Sequence, residues 1–66
     1  MTRNYNDYSI RVEKVETDLG TGFRAEFFIP KTDGTKSNVR VYETYKRGLR
    51  PGEVVEQVER IIDLGL

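Results

Sequence analysis

The sequence predicts an α+β domain: a three-stranded antiparallel β-meander with one C-terminal α-helix packed on one face (βββα). Three observations carry this expectation. Two segments, Tyr8–Val12 and Phe23–Ile29, alternate apolar and polar residues with the two-residue period of a half-buried strand. Asp33-Gly34 stands between two alternating segments, which is strong hairpin chemistry. After Pro51, apolar residues recur at helical spacing.

In chain order, residues 1–7 are polar and rich in Asn and read as a flexible lead-in to a single domain spanning 8–66. Tyr8-Ser9-Ile10-Arg11-Val12 opens the first strand. Val15 falls on the opposite parity, so the strand either bulges near Glu13-Lys14 or turns Val15 to its other face. Thr17 to Gly22 is turn chemistry, with two glycines able to take positive φ. In the second strand Phe23, Ala25, Phe27 and Ile29 alternate with Arg24, Glu26 and Phe28, and Pro30 ends the run. The third strand puts Val39 and Val41 on one face and Arg40 and Tyr42 on the other.

The helix has clear start signals. Pro51 suits the first helical position, where its missing N–H costs nothing. Glu53 then faces the positive end of the helix dipole, and Leu49 and Val54 occupy the two positions of a hydrophobic staple. Val54, Val55, Val58, Ile61 and Ile62 form one apolar stripe, and Gly65 is a stop signal. Short links between strands favour a meander with the helix across one sheet face.

Sixty-six residues make one domain with a small core, a size at which self-association is one route to stability. The chain has 11 basic and 11 acidic residues and no Cys or His. Disulfides, thiolate metal sites and histidine bases are thereby excluded. Neither Ser9 nor Ser37 has a histidine to activate it, the carboxylates lack calcium-loop spacing, and so small a chain has little room for a substrate cleft. The reading is therefore non-enzymatic, with no catalytic residue, no cofactor, no metal and no small-molecule substrate. Residues 1–50 hold ten of the basic groups and seven of the acidic ones, and 51–66 hold one and four. The body is thus basic and the last segment acidic. The absence of a leader, a spanning segment and cysteine fits a cytoplasmic protein with no membrane partner.

Three surfaces are candidates for binding. The sheet face turned away from the helix is expected to carry Arg24, Glu26, Phe28, Arg40, Tyr42 and Thr44, types that include those enriched where proteins meet. The acidic helix face offers Glu56, Glu59 and Asp63. Lys36, Lys46, Arg47 and Arg50 are candidate phosphate contacts, although short charged connections are usually only solvated.

The segments Gly22–Phe27, Asp33–Lys36 and Val41–Lys46, followed by a helix, resemble the amino-terminal DNA-binding domains of phage and transposon integrases. The likeness covers about residues 22–63. It implies a sheet laid in the major groove, with Arg24, Lys36, Arg40 and Tyr42 contacting bases and phosphates. That family carries Trp or a similar aromatic where Phe23 stands, and a more basic sheet. Tyr8 to Pro30 is also similar to the first hairpin of antitoxins of a ribonuclease-H-like family. The residues themselves favour a small regulatory or inhibitory module docking on a protein, with homodimerisation open and duplex DNA as the alternative partner.

Overall fold

The alternating segments and their turns decide the centre of the sheet. In a computed structural model that describes residues 1–18 and 20–65, the strands are β1 (Thr2–Tyr5), β2 (Tyr8–Thr17), β3 (Gly20–Pro30) and β4 (Lys36–Thr44), followed by helix α1 (Pro51–Leu64). They form one antiparallel sheet in the order β1-β2-β3-β4. The α+β class stands as expected, but the sheet has four strands, not three. The segment read as a lead-in contains the extra strand, β1.

The signal for β1 lay in the turn. Asn6 and Asp7 have φ of 45° and 68°, and Tyr5 pairs directly with Tyr8. Two consecutive positive-φ residues make the tight hairpin connection that matches strand twist, and Asn and Asp tolerate it best after Gly. The ladder continues beyond the strand, since the Val12 N–H donates to the Met1 carbonyl at 2.8 Å.

β2 and β3 pair without interruption from Ser9↔Phe28 to Thr17↔Gly20. No bulge occurs at Glu13-Lys14, so Val15 lies on the other face from Ile10 and Val12. Gly20 has the positive φ of a turn residue, 114°. Gly22 belongs inside β3 for a different reason. A Cβ there would run into the Thr44 carbonyl oxygen and the Tyr45 ring.

The Asp33-Gly34 turn forms as expected. Gly34 takes φ 87°, and the Asp33 carboxylate accepts from the Thr35 hydroxyl at 2.6 Å and from its N–H at 2.9 Å. Those bonds hold the Asp33 carboxyl below its ordinary pKa.

Beyond the turn the β3–β4 register shifts. Phe27 pairs with Arg40, but Ile29 pairs with Ser37. Asn38 and Val39 thus stand opposite Phe28 alone, with Asn38 at φ 53°. This bulge settles which way the rest of β4 faces. Arg40, Tyr42 and Thr44 pair with Phe27, Ala25 and Phe23 on the helix side, and Val41 pairs with Glu26 on the outer side. The expected facing of β4 is therefore reversed. Val39 and Val41, expected beneath the helix, are 50% and 47% exposed.

Pro51 is the first residue of α1, Glu53 lies in its first turn, and Gly65 at φ 70° caps it through its N–H to the Ile61 and Ile62 carbonyls. Val54, Val55 and Val58 are buried together with Ile10, Val12, Ala25 and Phe27. Phe23, Tyr42, Ile61 and Ile62 pack at the margin of this core. α1 lies chiefly across β2 and β3.

Gly22→Ala should cost about 1–3 kcal/mol, because the added methyl meets backbone and ring atoms held by the β3–β4 ladder. Urea denaturation is the measurement: the midpoint falls while the slope is unchanged.

Candidate docking surface

The outer sheet face is built by alternation. Arg11, Glu13 and Val15 of β2 pair with Glu26, Arg24 and Gly22 of β3, and Val41 and Glu43 of β4 pair with Glu26 and Arg24. Helix α1 lies on the opposite side, so no element of the described chain covers this face. Arg24 lies between two carboxylates, 3.4 Å from Glu13 and 3.7 Å from Glu43. Lys36 Nζ is 3.2 Å from Glu26 and 4.4 Å from the centre of the Phe28 ring. Of the expected face residues, Arg24, Glu26 and Phe28 are brought together here, and Lys36 joins them.

Arg40, Tyr42 and Thr44 do not belong to this face. The bulge at Asn38-Val39 turns them to the helix side. There the Arg40 guanidinium stands 5.6 Å from the Phe27 ring centre, a cation–π distance. Tyr42 packs against the core. The apolar members of the outer face that sequence reasoning put elsewhere are Val39 and Val41. Their signal was Asn38, a residue tolerant of positive φ in the middle of a strand pattern.

The acidic helix face has an internal partner. Arg3 Nε lies 3.3 Å from Glu59 Oε2, and the Glu59 side chain is only 18% exposed. That oxygen is buried and accepts no hydrogen bond, so the Arg3 charge is what compensates it. The Tyr5 hydroxyl donates to the Asp63 carboxylate, 2.7 and 2.9 Å from its two oxygens, and Asn6 Nδ2 donates at 3.3 Å. Glu59 and Asp63 therefore serve as the seat of β1, an internal use that the sequence reading of the acidic face did not include. Glu56 stays exposed. The bond to Asp63 is the main cause holding the Tyr5 phenol above its ordinary pKa, with burial and the charges of Asp63 and Glu59 adding to it.

The basic connection lies at the far end of the sheet. Lys46 and Arg47 join Lys14, Thr21, Phe23 and Tyr45 in lining a surface cleft of about 490 Å³ with no carboxylate in its wall. The chain thus has more concave surface than its size implies. Lys14, Lys46, Arg47 and the exposed Arg50 form no ion pair among the described residues. Lys36 is apart from this group, on the outer face.

Among the described residues no group of His, Cys, Asp or Glu is placed to hold a metal ion. Among the same residues no helix is long and apolar enough to cross a membrane. Comparison with protein-family models, curated proteins and solved structures produces no match to this chain.

The Tyr5–Asp63 bond has a pH signature. A phenol whose pKa is raised on folding stabilises the fold below its unfolded value, about 10, and that contribution is lost as pH rises through the higher folded value. Stability measured across the alkaline range should therefore fall in the native chain, and Tyr5→Phe should flatten this fall while lowering stability at neutral pH. An alkaline limb of the same depth in both proteins would contradict the assignment.

Proposed function

We propose that this chain is a small non-catalytic regulatory or inhibitory module that docks on a protein through its outer sheet face. One observation carries the reading. The uncovered face sets Phe28, Val39 and Val41 among charges that balance in sign, with Arg24 between Glu13 and Glu43, Lys36 beside Glu26, and Arg11 across the ladder from Glu26 without an ion pair among the described residues. Such a face presents apolar area with little net charge, which suits a protein surface and not a phosphate backbone. Arg24, Glu26 and Phe28 are its centre. Arg40, Tyr42 and Thr44 lie at its edge strand with their side chains on the other side.

Phe28→Glu tests it directly. Phe28 lies outside the buried core, so the fold should persist by circular dichroism. Affinity for the partner captured by the native chain should drop on the order of tenfold or more. Undiminished capture by the variant would remove the face from consideration.

Duplex DNA is the second reading, and the carboxylate-free cleft favours it. In that case the phosphate contacts are Lys46, Arg47 and Arg50 with Lys14, not the sheet face. Binding to duplex DNA would then weaken linearly in log affinity against log salt, and Lys46→Ala would reduce the slope by about 1. Absence of any complex at low salt excludes this reading.

A further inference from the structure

The alternation that buries β2 and β3 runs on past the core. Ile10 and Val12 are covered, and the next residue on their face is the exposed Lys14, which pairs with Phe23. Phe23 is half-buried at the margin of the core. Helix α1 begins only at Pro51, so the residues leading into it border this end of the sheet. Tyr45 to Leu49, with Lys14, Gly20, Thr21 and Phe23, line the cleft of about 490 Å³. Lys14, Lys46 and Arg47 stand around it without an ion pair among the described residues. Arg47 and Gly48, the latter at φ 79°, also make no backbone hydrogen bond among those residues. Glu43 is engaged by Arg24 on the outer face, and Glu16, opposite Thr21 in the ladder, is outside the wall.

We propose that this cleft binds a nucleoside phosphate, one base carrying one phosphate group. Charge selects the anion. Three cations and two free N–H groups border one hollow, and a phosphate monoester brings about −1.5 to −2 charge at neutral pH with three strong acceptor oxygens. The apolar part of the wall selects the body of the ligand. Phe23 and Leu49, both half-buried, supply an aromatic and an aliphatic surface, and any base has a π-face to lay on them. The volume lies within the range of small-ligand sites, about 300–1,000 Å³.

The shape of the hollow favours this ligand over a duplex. Duplex DNA is a rod with one negative charge per about 1.7 Å of axis, met by cations spread along a face. Here the cations gather round one concavity, and Lys36 is on the outer face beside Glu26. The proposal rests on the same cleft as the duplex reading but commits to a different occupant. It is independent of docking on a protein, since Phe28 belongs to the outer face. A free nucleotide and the phosphorylated end of a single strand offer the same chemistry.

Backbone amide NMR of the full chain, titrated with adenosine 5′-monophosphate, reads the site and the fold together. The Thr21, Phe23, Arg47 and Gly48 resonances should shift and saturate, with a Kd on the order of 1 mM or below. Adenosine alone and inorganic phosphate alone should each bind at least about tenfold more weakly, because each lacks half of the contacts. Lys14, Lys46 and Arg47 are exposed, so replacing them should leave the spectrum folded. Lys46→Ala should weaken binding about fivefold and Arg47→Glu should abolish it. Phe28→Glu should bind the nucleotide as the native chain does. A 5′-phosphorylated trinucleotide separates the two sources: binding tighter than the mononucleotide assigns a strand end, and equal or weaker binding a free nucleotide. No saturation by about 10 mM, shifts confined to other residues, phosphate alone binding as tightly as the nucleotide, or native affinity in Arg47→Glu would each overturn the proposal. So would a trinucleotide that binds equally without its 5′-phosphate, or a duplex that binds the same residues more tightly than the nucleotide.

Discussion

One helix has to cover four strands, and it cannot. A helix of 14 residues is about 21 Å long and about 10 Å wide, enough for two strands spaced about 4.8 Å apart and little more. Val54, Val55 and Val58 spend that width on Ile10, Val12, Ala25 and Phe27. The centre is thereby dry and closed, and both flanking strands must be accommodated by other means. The two edges of the sheet differ because they meet this constraint in different ways.

At the β1 edge the means is polar. Arg3 and Tyr5 reach the helix margin at Glu59 and Asp63. Residues 59 and 63 are one helical turn apart and 3 and 5 share a strand face, so two short contacts suffice to seat β1. Acidic residues near a helix C-terminus oppose the helix dipole. The local conflict at Glu59 and Asp63 is resolved by what β1 brings to them. At the β4 edge there is no such tie. Tyr42 reaches the core margin, the bulge at Asn38-Val39 exposes the two valines, and the strand is open on its free side.

Much of this was legible from residues in sequence. The Asp33-Gly34 turn, Pro51 at the first helical position, the valine stripe and the Gly65 cap are all local chemistry, in which partners lie within four or five positions of each other. β1 was harder, because Thr2-Arg3-Asn4-Tyr5 has no apolar alternation to announce it. Its strand character comes from the Asn6-Asp7 turn and from pairing with β2. Gly22 was legible as a glycine but not for its reason, which is the close passage of Thr44 and Tyr45 from another strand. In the candidate surface, Arg24, Glu26 and Phe28 were placed on the correct face because β3 alternates without a fault. Arg40, Tyr42 and Thr44 were not, because one inserted residue reverses everything after it.

By itself, then, the sequence determined the α+β class, the central hairpin, the turn at Asp33-Gly34 and the helix with its apolar face, since those depend on backbone preference and periodicity over short spans. Tertiary structure alone decided the fourth strand, the facing of β4 and the internal use of Glu59 and Asp63. In β4, valines 39 and 41 and residues 40 and 42 offer the same two-residue period on either face. Only the register against Phe27, reached across a bulge and imposed by where the helix lies, chooses between them.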